Sequence, residues 1–263
     1  WGDYVPRVID DWIDDPSGIV MVAEDDRQVV AMGRADLLTP TEAWFHGARV
    51  RPSHRGRGIA GLLAEESIDW ARDSGAHVAR LLIEDANESS IRHIRKTGFR
   101  RVATVIRANR AIGDATPNPD GNGGRRNPPN LAARPVKGAD APLLATGWST
   151  SICGREVRGL IAKGWRFHTL SEVDLVEAAN RGDLWEMGSS WAVTGPFDDA
   201  FDVSLLDSNE DEAYDAIRCL IDIANERGRE AFWMWLADID WLTQAARRAG
   251  CDLTPNGIWV YSL

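Results

Sequence analysis

Apolar residues recur along the first hundred positions with two different spacings. In "YVPRVIDDWIDD" they fall at Val5, Val8, Ile9 and Trp12, the spacing of a helix with one buried face. "GIVMVAE" and "QVVAMGRADL" are rich in branched and aliphatic residues and flank the polar turn Glu24-Asp25-Asp26-Arg27, which predicts an antiparallel hairpin. "EAWFHGARV" predicts a third strand. After a loop of arginines and glycines, helical spacing returns at Ile59, Leu62, Leu63 and Trp70. It predicts a helix from Gly58 to about Ser74, stopped by Gly75. "HVARLLI" reads as a strand, "NESSIRHIRKTG" as a helix ending at Gly98, and "FRRVATVIRA" as one more strand.

The pattern then lapses. "AIGDATPNPDGNGGRRNPPN", residues 111–130, has almost no large apolar residue and reads as a linker. It separates a first domain, 1–110, from a second, 131–263. Periodicity at the end of the second resembles the order seen in the first. "DEAYDAIRCLIDIANERG" predicts a helix, "EAFWMWLA" a strand, "DIDWLTQAARRAG" a helix and "GIWVYSL" a strand. Gly75 and Gly98 lie 23 residues apart, and Gly228 and Gly250 lie 22 apart, which points to an internal repeat of one fold. Eight tryptophans fall in this second half, and most are expected in a sheet core.

Composition narrows the function. The chain has 263 residues, is 44% hydrophobic and has a net charge of −10. That charge argues against general binding to nucleic acid or to an anionic membrane surface. No apolar run approaches the ~20 residues of a membrane span, and no signal peptide is evident. Starting at Trp1 rather than methionine, the chain reads as lacking its original N-terminus. Cys153, Cys219 and Cys251 are far apart and have no metal-ligand spacing. They read as buried small hydrophobes in a reduced, cytoplasmic protein, with no metal expected.

The chemistry concentrates in "RPSHRGRGIAGLL", residues 51–63. Gly56-x-Gly58-x-x-Gly61 fits a dinucleotide fingerprint, whereas Arg55-x-x-Gly58-x-Ala60 fits a loop for the pyrophosphate of coenzyme A. Both use glycines for close backbone approach and a helix N-terminus for the anion. A dinucleotide loop places its first glycine directly after the strand, but five residues separate Val50 from Gly56. The preceding strand also follows an antiparallel hairpin rather than a parallel unit. Arg51, Arg55 and Arg57 crowd this loop of an acidic protein, which suits a ligand with an additional 3′-phosphate.

"VRPSHRGRGIAGLL" together with "NESSIRHIRKTGF" resembles the GNAT superfamily of acetyl-CoA-dependent N-acetyltransferases, from about Gly18 to Arg107. The resemblance implies an α/β (α+β) fold with a mixed, largely antiparallel central sheet flanked by helices. With the repeat, it implies a catalytic first domain and a degenerate second copy in tandem. It implies that the backbone of Ala48, Arg49 and Val50 holds pantetheine. Arg55, Gly56, Arg57, Gly58, Ile59 and Ala60 would hold the pyrophosphate, and Asn87 would contact the coenzyme. The tyrosine that relatives use to protonate the departing thiolate is Ile94 here, so Ser90, His93 or water would have to serve. Relatives often place a glutamate base on the strand before the loop. Here that strand carries His46, placed by alternation on one face with Trp44, Ala48 and Val50. Glu84 is the second candidate base. Arg34 and Asp36 on the hairpin could recognise an acceptor's charge, but a plain surface ion pair is the first expectation.

Acetyl transfer to a small amine or peptide amine follows as the expected activity, in a monomer or homodimer. A non-catalytic acyl-CoA-binding module and a dinucleotide-dependent oxidoreductase are the alternatives. The second half carries Asp207, Glu210, Asp211 and Glu212 where a copy of the loop would fall, so it is expected not to bind coenzyme A.

Overall fold

The computed structural model describes residues 4–113, 129–255 and 257–263. Most of the expected 111–130 linker therefore lies outside the described residues. The chain divides into two compact units. The first comprises Trp1–Val102 together with Arg166–His168 and Trp259–Leu263; the second comprises Ala103–Trp165 and Thr169–Ile258.

The elements run α1 (Val5–Asp14), β1 (Gly18–Asp25), β2 (Gln28–Thr39), β3 (Glu42–Val50), α2 (Ile59–Asp73), β4 (Val78–Glu84), α3 (Glu88–Lys96) and β5 (Arg100–Ala111). They continue as β6 (Ala133–Pro135), α4 (Ala141–Thr150), α5 (Ile152–Glu156), β7 (Leu160–Lys163), β8 (Arg166–Thr169), α6 (Glu172–Arg181), β9 (Leu184–Met187), β10 (Ser190–Phe197) and β11 (Ala200–Asp207). The last are α7 (Ala213–Glu226), β12 (Ala231–Ala237), α8 (Asp240–Arg248), β13 (Asp252–Leu253) and β14 (Ile258–Ser262).

In the first unit the strand order is β1-β2-β3-β4-β14. The β1–β2 hairpin closes on Asp26 and Arg27, both with positive φ, so the turn twists in the sense of its strands. β2 pairs antiparallel with β3, and β3 pairs parallel with β4 through the α2 crossover. One sheet face carries Ala43, Phe45, Ala79, Leu81 and Ile83, packed with Ala71 of α2 and with Ile91 and Ile94 of α3. Tyr261 of β14 is fully buried in the same cluster. The predicted helix and strand segments of this half all form, within two residues of their expected ends except β5, which runs three residues past Ala108 to Ala111.

In the second unit the order is β5-β12-β11-β10-β9-β6. All neighbours pair antiparallel except β11 and β12, which run parallel and are joined by α7. Both units are thus mixed and largely antiparallel, with helices alongside. Trp148, Trp191 and Trp235 are buried and the other tryptophans of this half are partly so. All three cysteines are free and buried. Burial pushes the Cys153 and Cys219 thiols up to about 11 and Cys251 up to about 12, so they stay protonated and pack as apolar groups. No described helix is long and apolar enough to cross a membrane.

Candidate active site

β3 and β4 pair only at their first residues, Glu42–Trp44 against Val78–Arg80. Beyond that point the described ladder ends, and the two parallel strands part. The later backbone of β3 thus borders a gap in that ladder. Peptide groups on such an edge are left to bond a ligand.

The Arg51–Gly58 loop leaves β3 at the wide end of this gap. The Arg51 N–H donates to the Val30 carbonyl at 2.8 Å, and a short 3₁₀ turn spans Pro52–His54. Gly58 is the N-cap of α2 with φ 82°, a left-handed conformation that costs an L-residue about 1–2 kcal/mol. Gly56 has φ 77°. A Cβ added at either glycine would meet nothing within 4 Å, so backbone conformation and not crowding within the chain requires glycine. The Gly58 carbonyl accepts from Gly61 and Leu62. The earlier N–H groups of Ile59 and Ala60 lie where an α-helix has no acceptor of its own, at the positive end of the helix dipole.

Arginines surround this opening. Arg51 donates to Gln28 at 3.0 Å, and Arg55 Nε to the Val50 carbonyl at 3.2 Å. Arg57 and His54 face Asp25 at 3.7 and 3.3 Å. All three arginines are exposed. The result is an open cradle of backbone donors ringed by guanidinium groups, which suits a phosphate-rich anion. Asn87 caps α3, its side chain accepting the Ser90 N–H at 3.2 Å. Glu84 is exposed at the end of β4, and its carbonyl accepts from the Asn87 N–H at 2.9 Å.

The β2–β3 register shifts twice, between Leu37 and Thr39 and again between Met32 and Arg34. Register slips between Met32 and Arg34, so β3 carries an extra residue opposite Gly33, at Gly47 and Ala48. Gly47 has φ 69°, and a Cβ there would lie 2.7 Å from the Trp12 ring. This bulge moves every later residue of β3 to the other face. His46 pairs with Arg34 and Arg49 with Met32, so these share the face of Trp44; Val50 pairs with Ala31 and shares the face of Phe45. The expected placement of His46 and Val50 on one face is therefore corrected. A glycine inside a strand pattern was the available signal.

His46 sits in a charged cluster. Its Nε2 is 2.7 Å from Asp36 Oδ2, and the edge of its ring meets Trp12 at 4.8 Å between centroids. Arg34 Nε donates to Asp36 Oδ1 at 2.5 Å. Its remaining nitrogens reach Asp15 Oδ2 at 2.7 Å and the Trp12 carbonyl. Arg166, from β8, donates to Asp36 Oδ2 at 3.3 Å, beside Phe167, which packs on Trp44 at 6.0 Å. Arg34 and Asp36 are only 2% and 1% exposed, so the expected surface ion pair is in fact buried. Burial works against charge on Asp36. The hydrogen bond and charge of His46, then Arg34, outweigh it and hold the carboxyl below the usual range. Asp15 and Arg166 escaped the sequence reading because neither has a local pattern linking it to β3.

His93 and Ser90 are half-buried on α3, and a side chain at Gly61 of α2 would stand 3.7 Å from the His93 ring. Ile94 is buried in the core cluster. In the second unit, the start of α7 is built differently. Glu212 accepts from the Ser189 N–H and hydroxyl and from the Ser190 hydroxyl, and Asn209 accepts the N–H groups of Asp211 and Glu212. The Asp211 and Glu212 N–H groups just before α7 are thus already taken by a side chain of the protein.

Residues 1–99 match the family profile of the acetyltransferase (GNAT) family. A human protein named probable N-acetyltransferase 16 is 33% identical over 86 residues, which is 32% of this chain and 23% of that protein. A GCN5-related N-acetyltransferase from Sphaerobacter thermophilus is similar in structure with a TM-score of 0.66 at 14% identity, over 98% of this chain and 84% of that one. A candidate acetyltransferase from Thermoplasma acidophilum gives 0.59 at 16%, over 99% and 83%. The two structures bear on the fold across nearly the whole chain, and the family profile bears on the segment that carries the loop.

Proposed function

We propose that this chain is an N-acetyltransferase that moves acetyl from acetyl-CoA to a primary amine by direct attack in a ternary complex. The observation that carries the proposal is the parting of β3 and β4 with the left-handed Gly58 turn and the α2 N-terminus at its wide end. In this reading the N–H groups at the start of α2 and the Arg51, Arg55 and Arg57 guanidinium groups hold the phosphates. The stretch of β3 around Ala48, Arg49 and Val50 binds pantetheine and presents a backbone donor to the developing oxyanion. Asn87 borders the coenzyme from the cap of α3.

The gap opens the sheet to both faces. The loop and α2 lie on the Phe45 side, and His46 lies on the other. An amine can thus reach the thioester carbon from the side of His46, which takes its proton. Nitrogen forms the new bond to carbon, the C–S bond breaks, and the thiolate leaves with a proton from water or from His93. Glu84, exposed at the end of β4, serves less well as a base because nothing holds it toward the gap. The second unit acts as a non-binding, degenerate copy, consistent with the carboxylate-filled start of α7. The amine class stays open across small amines and peptide amines; the acidic chain favours cationic ones.

Thermal unfolding with acetyl-CoA, free CoA and NADH, followed by mass spectrometry of a primary-amine panel, tests the reading. At a hundredfold excess over Kd the coenzyme should add about 2.7 kcal/mol of stability. That gain should vanish in Gly58→Trp, and an acetylated amine should appear with the wild type. Stabilisation by NADH alone would overturn the assignment. Binding of acetyl-CoA without any amide product would favour the second reading, a non-catalytic acyl-CoA-binding module, for which the burial of Ile94 speaks.

A further inference from the structure

Asp36 is almost wholly buried, yet each of its oxygens is committed. Oδ1 takes Arg34 Nε at 2.5 Å; Oδ2 takes both His46 Nε2 at 2.7 Å and Arg166 Nη1 at 3.3 Å. Arg34 is itself anchored by Asp15 and by the Trp12 carbonyl, so it cannot swing away and the carboxylate is held in one orientation. An ionised carboxylate can only accept. The imidazole must therefore donate through Nε2, which fixes its tautomer and leaves Nδ1 as the basic nitrogen.

Arg166 stands on the same oxygen as the imidazole. It draws on the negative charge that would otherwise stabilise the protonated ring. We propose that Asp36 is a positioning residue that holds His46 with Nδ1 as its proton-accepting nitrogen, and that Arg166 sets how basic that nitrogen is. This rests on the reading of His46 as the base for the amine. The other charged groups on this face are Asp15 after α1, Arg34 on β2, and Glu42 and Arg49 on β3 itself. Arg80 on β4 is taken up by Glu42 at 2.5 Å, and His168 lies on β8 with Arg166. Among the described residues, Arg34, Arg166 and the His46 imidazole are the basic groups that contact Asp36.

The sign follows from charge. Removing the Arg166 guanidinium takes away a positive neighbour and a competing donor, so His46 should become more basic. Removing the Asp36 charge should make it less basic. Arg166 has a side chain 37% exposed, so its loss leaves the fold in place.

The experiment is NMR titration of the imidazoles in the full chain, with His46→Gln to assign the His46 signal among the five histidines. The His46 midpoint should rise in Arg166→Gln and fall in Asp36→Asn, the directions that loss of a nearby positive and a nearby negative charge dictate. The acidic limb of kcat/KM for an amine should move by the same amounts, while a purely structural role would alter Tm and leave both midpoints in place. Should Asp36→Asn fail to fold, Arg166→Gln decides. An unchanged His46 midpoint in folded Arg166→Gln overturns the proposal. Absence of amide product in the wild type would instead overturn the transferase reading, because the imidazole titration still reports the coupling.

Discussion

Asp36 and Asp202 are both buried carboxylates, and their neighbours drive them in opposite directions. Asp36 has three donors in contact, two of them guanidinium groups, and stays below the usual range. Asp202, on β11 and 3% exposed, is pushed up to about 7, mainly by burial; Ser204 and the Arg107 charge offset only part of that. Arg107 spends itself on aromatic faces, 3.9 Å from the Trp233 centroid and 4.3 Å from that of Trp165. A raised folded pKa means that the folded chain binds a proton the unfolded chain releases. The contribution of Asp202 is therefore fully present below 3.8 and is lost as pH rises toward about 7. Denaturant unfolding at pH 5 and pH 8 should show a smaller loss of stability in Asp202→Asn than in the wild type; equal losses would refute it. Asp36 has the opposite sign, and its contribution should be lost as pH falls below 3.8.

At this scale the loop was legible and the polar cluster was not. Gly56 and Gly58 stand out because glycine and arginine requirements coincide over a few residues. Arg34 and Asp36 sit two apart in "GRADLL", a spacing that on one face of a strand looks the same whether that face meets water or α1.

Among the elements, β3 has the most to teach. Its existence, direction and approximate ends follow from its pattern, but its faces do not, because one glycine changes the count halfway along. The Gly47 backbone needs a positive φ, and the Trp12 ring fills the space where a Cβ would go. Gly47→Ala should lower stability by about 1–3 kcal/mol through strain and collision with Trp12. It should also weaken the contact between Trp12 and His46, so tryptophan fluorescence should report the change along with the unfolding curve. A stable variant with unaltered fluorescence would mean that the strand relaxes without the bulge. On α6, Ser171 and Asp174 form a reciprocal cap, a pairing that sequence displays openly. Ser171→Ala should cost about 1 kcal/mol in the same assay.

For the molecule as a whole, periodicity revealed which segments fold but not which unit each joins. "GIWVYSL" has the alternation of a strand, yet nothing in those letters says that Trp259–Leu263 clusters with β4 rather than with α8 just before it. The Ala79 and Leu263 backbones exchange hydrogen bonds at 3.2 and 2.9 Å, and Tyr261 is fully buried against Phe99 and Ile94 of the first unit. Arg166 and Phe167 reach that unit from the middle of the chain in the same way. Distant contacts leave no local signature, which is why the charged cluster and the last strand both lay beyond sequence reading. Tyr261→Ala should cost about 3–5 kcal/mol, as for other large core aromatics, and should reduce stabilisation by acetyl-CoA. Thermal unfolding with and without the coenzyme checks both.

That last strand also sets a clock. A ribosome delivers β4 early and β14 only after the whole second unit, so at about 5–20 residues per second the nascent chain waits roughly ten to thirty seconds for the partner of β4. During that interval the Arg51–Gly58 loop has been made, but the sheet edge beside it is bare and open to wrong pairing. A message cut short anywhere in the second unit would yield a polypeptide that carries the whole recognisable motif and lacks the strand that supports it.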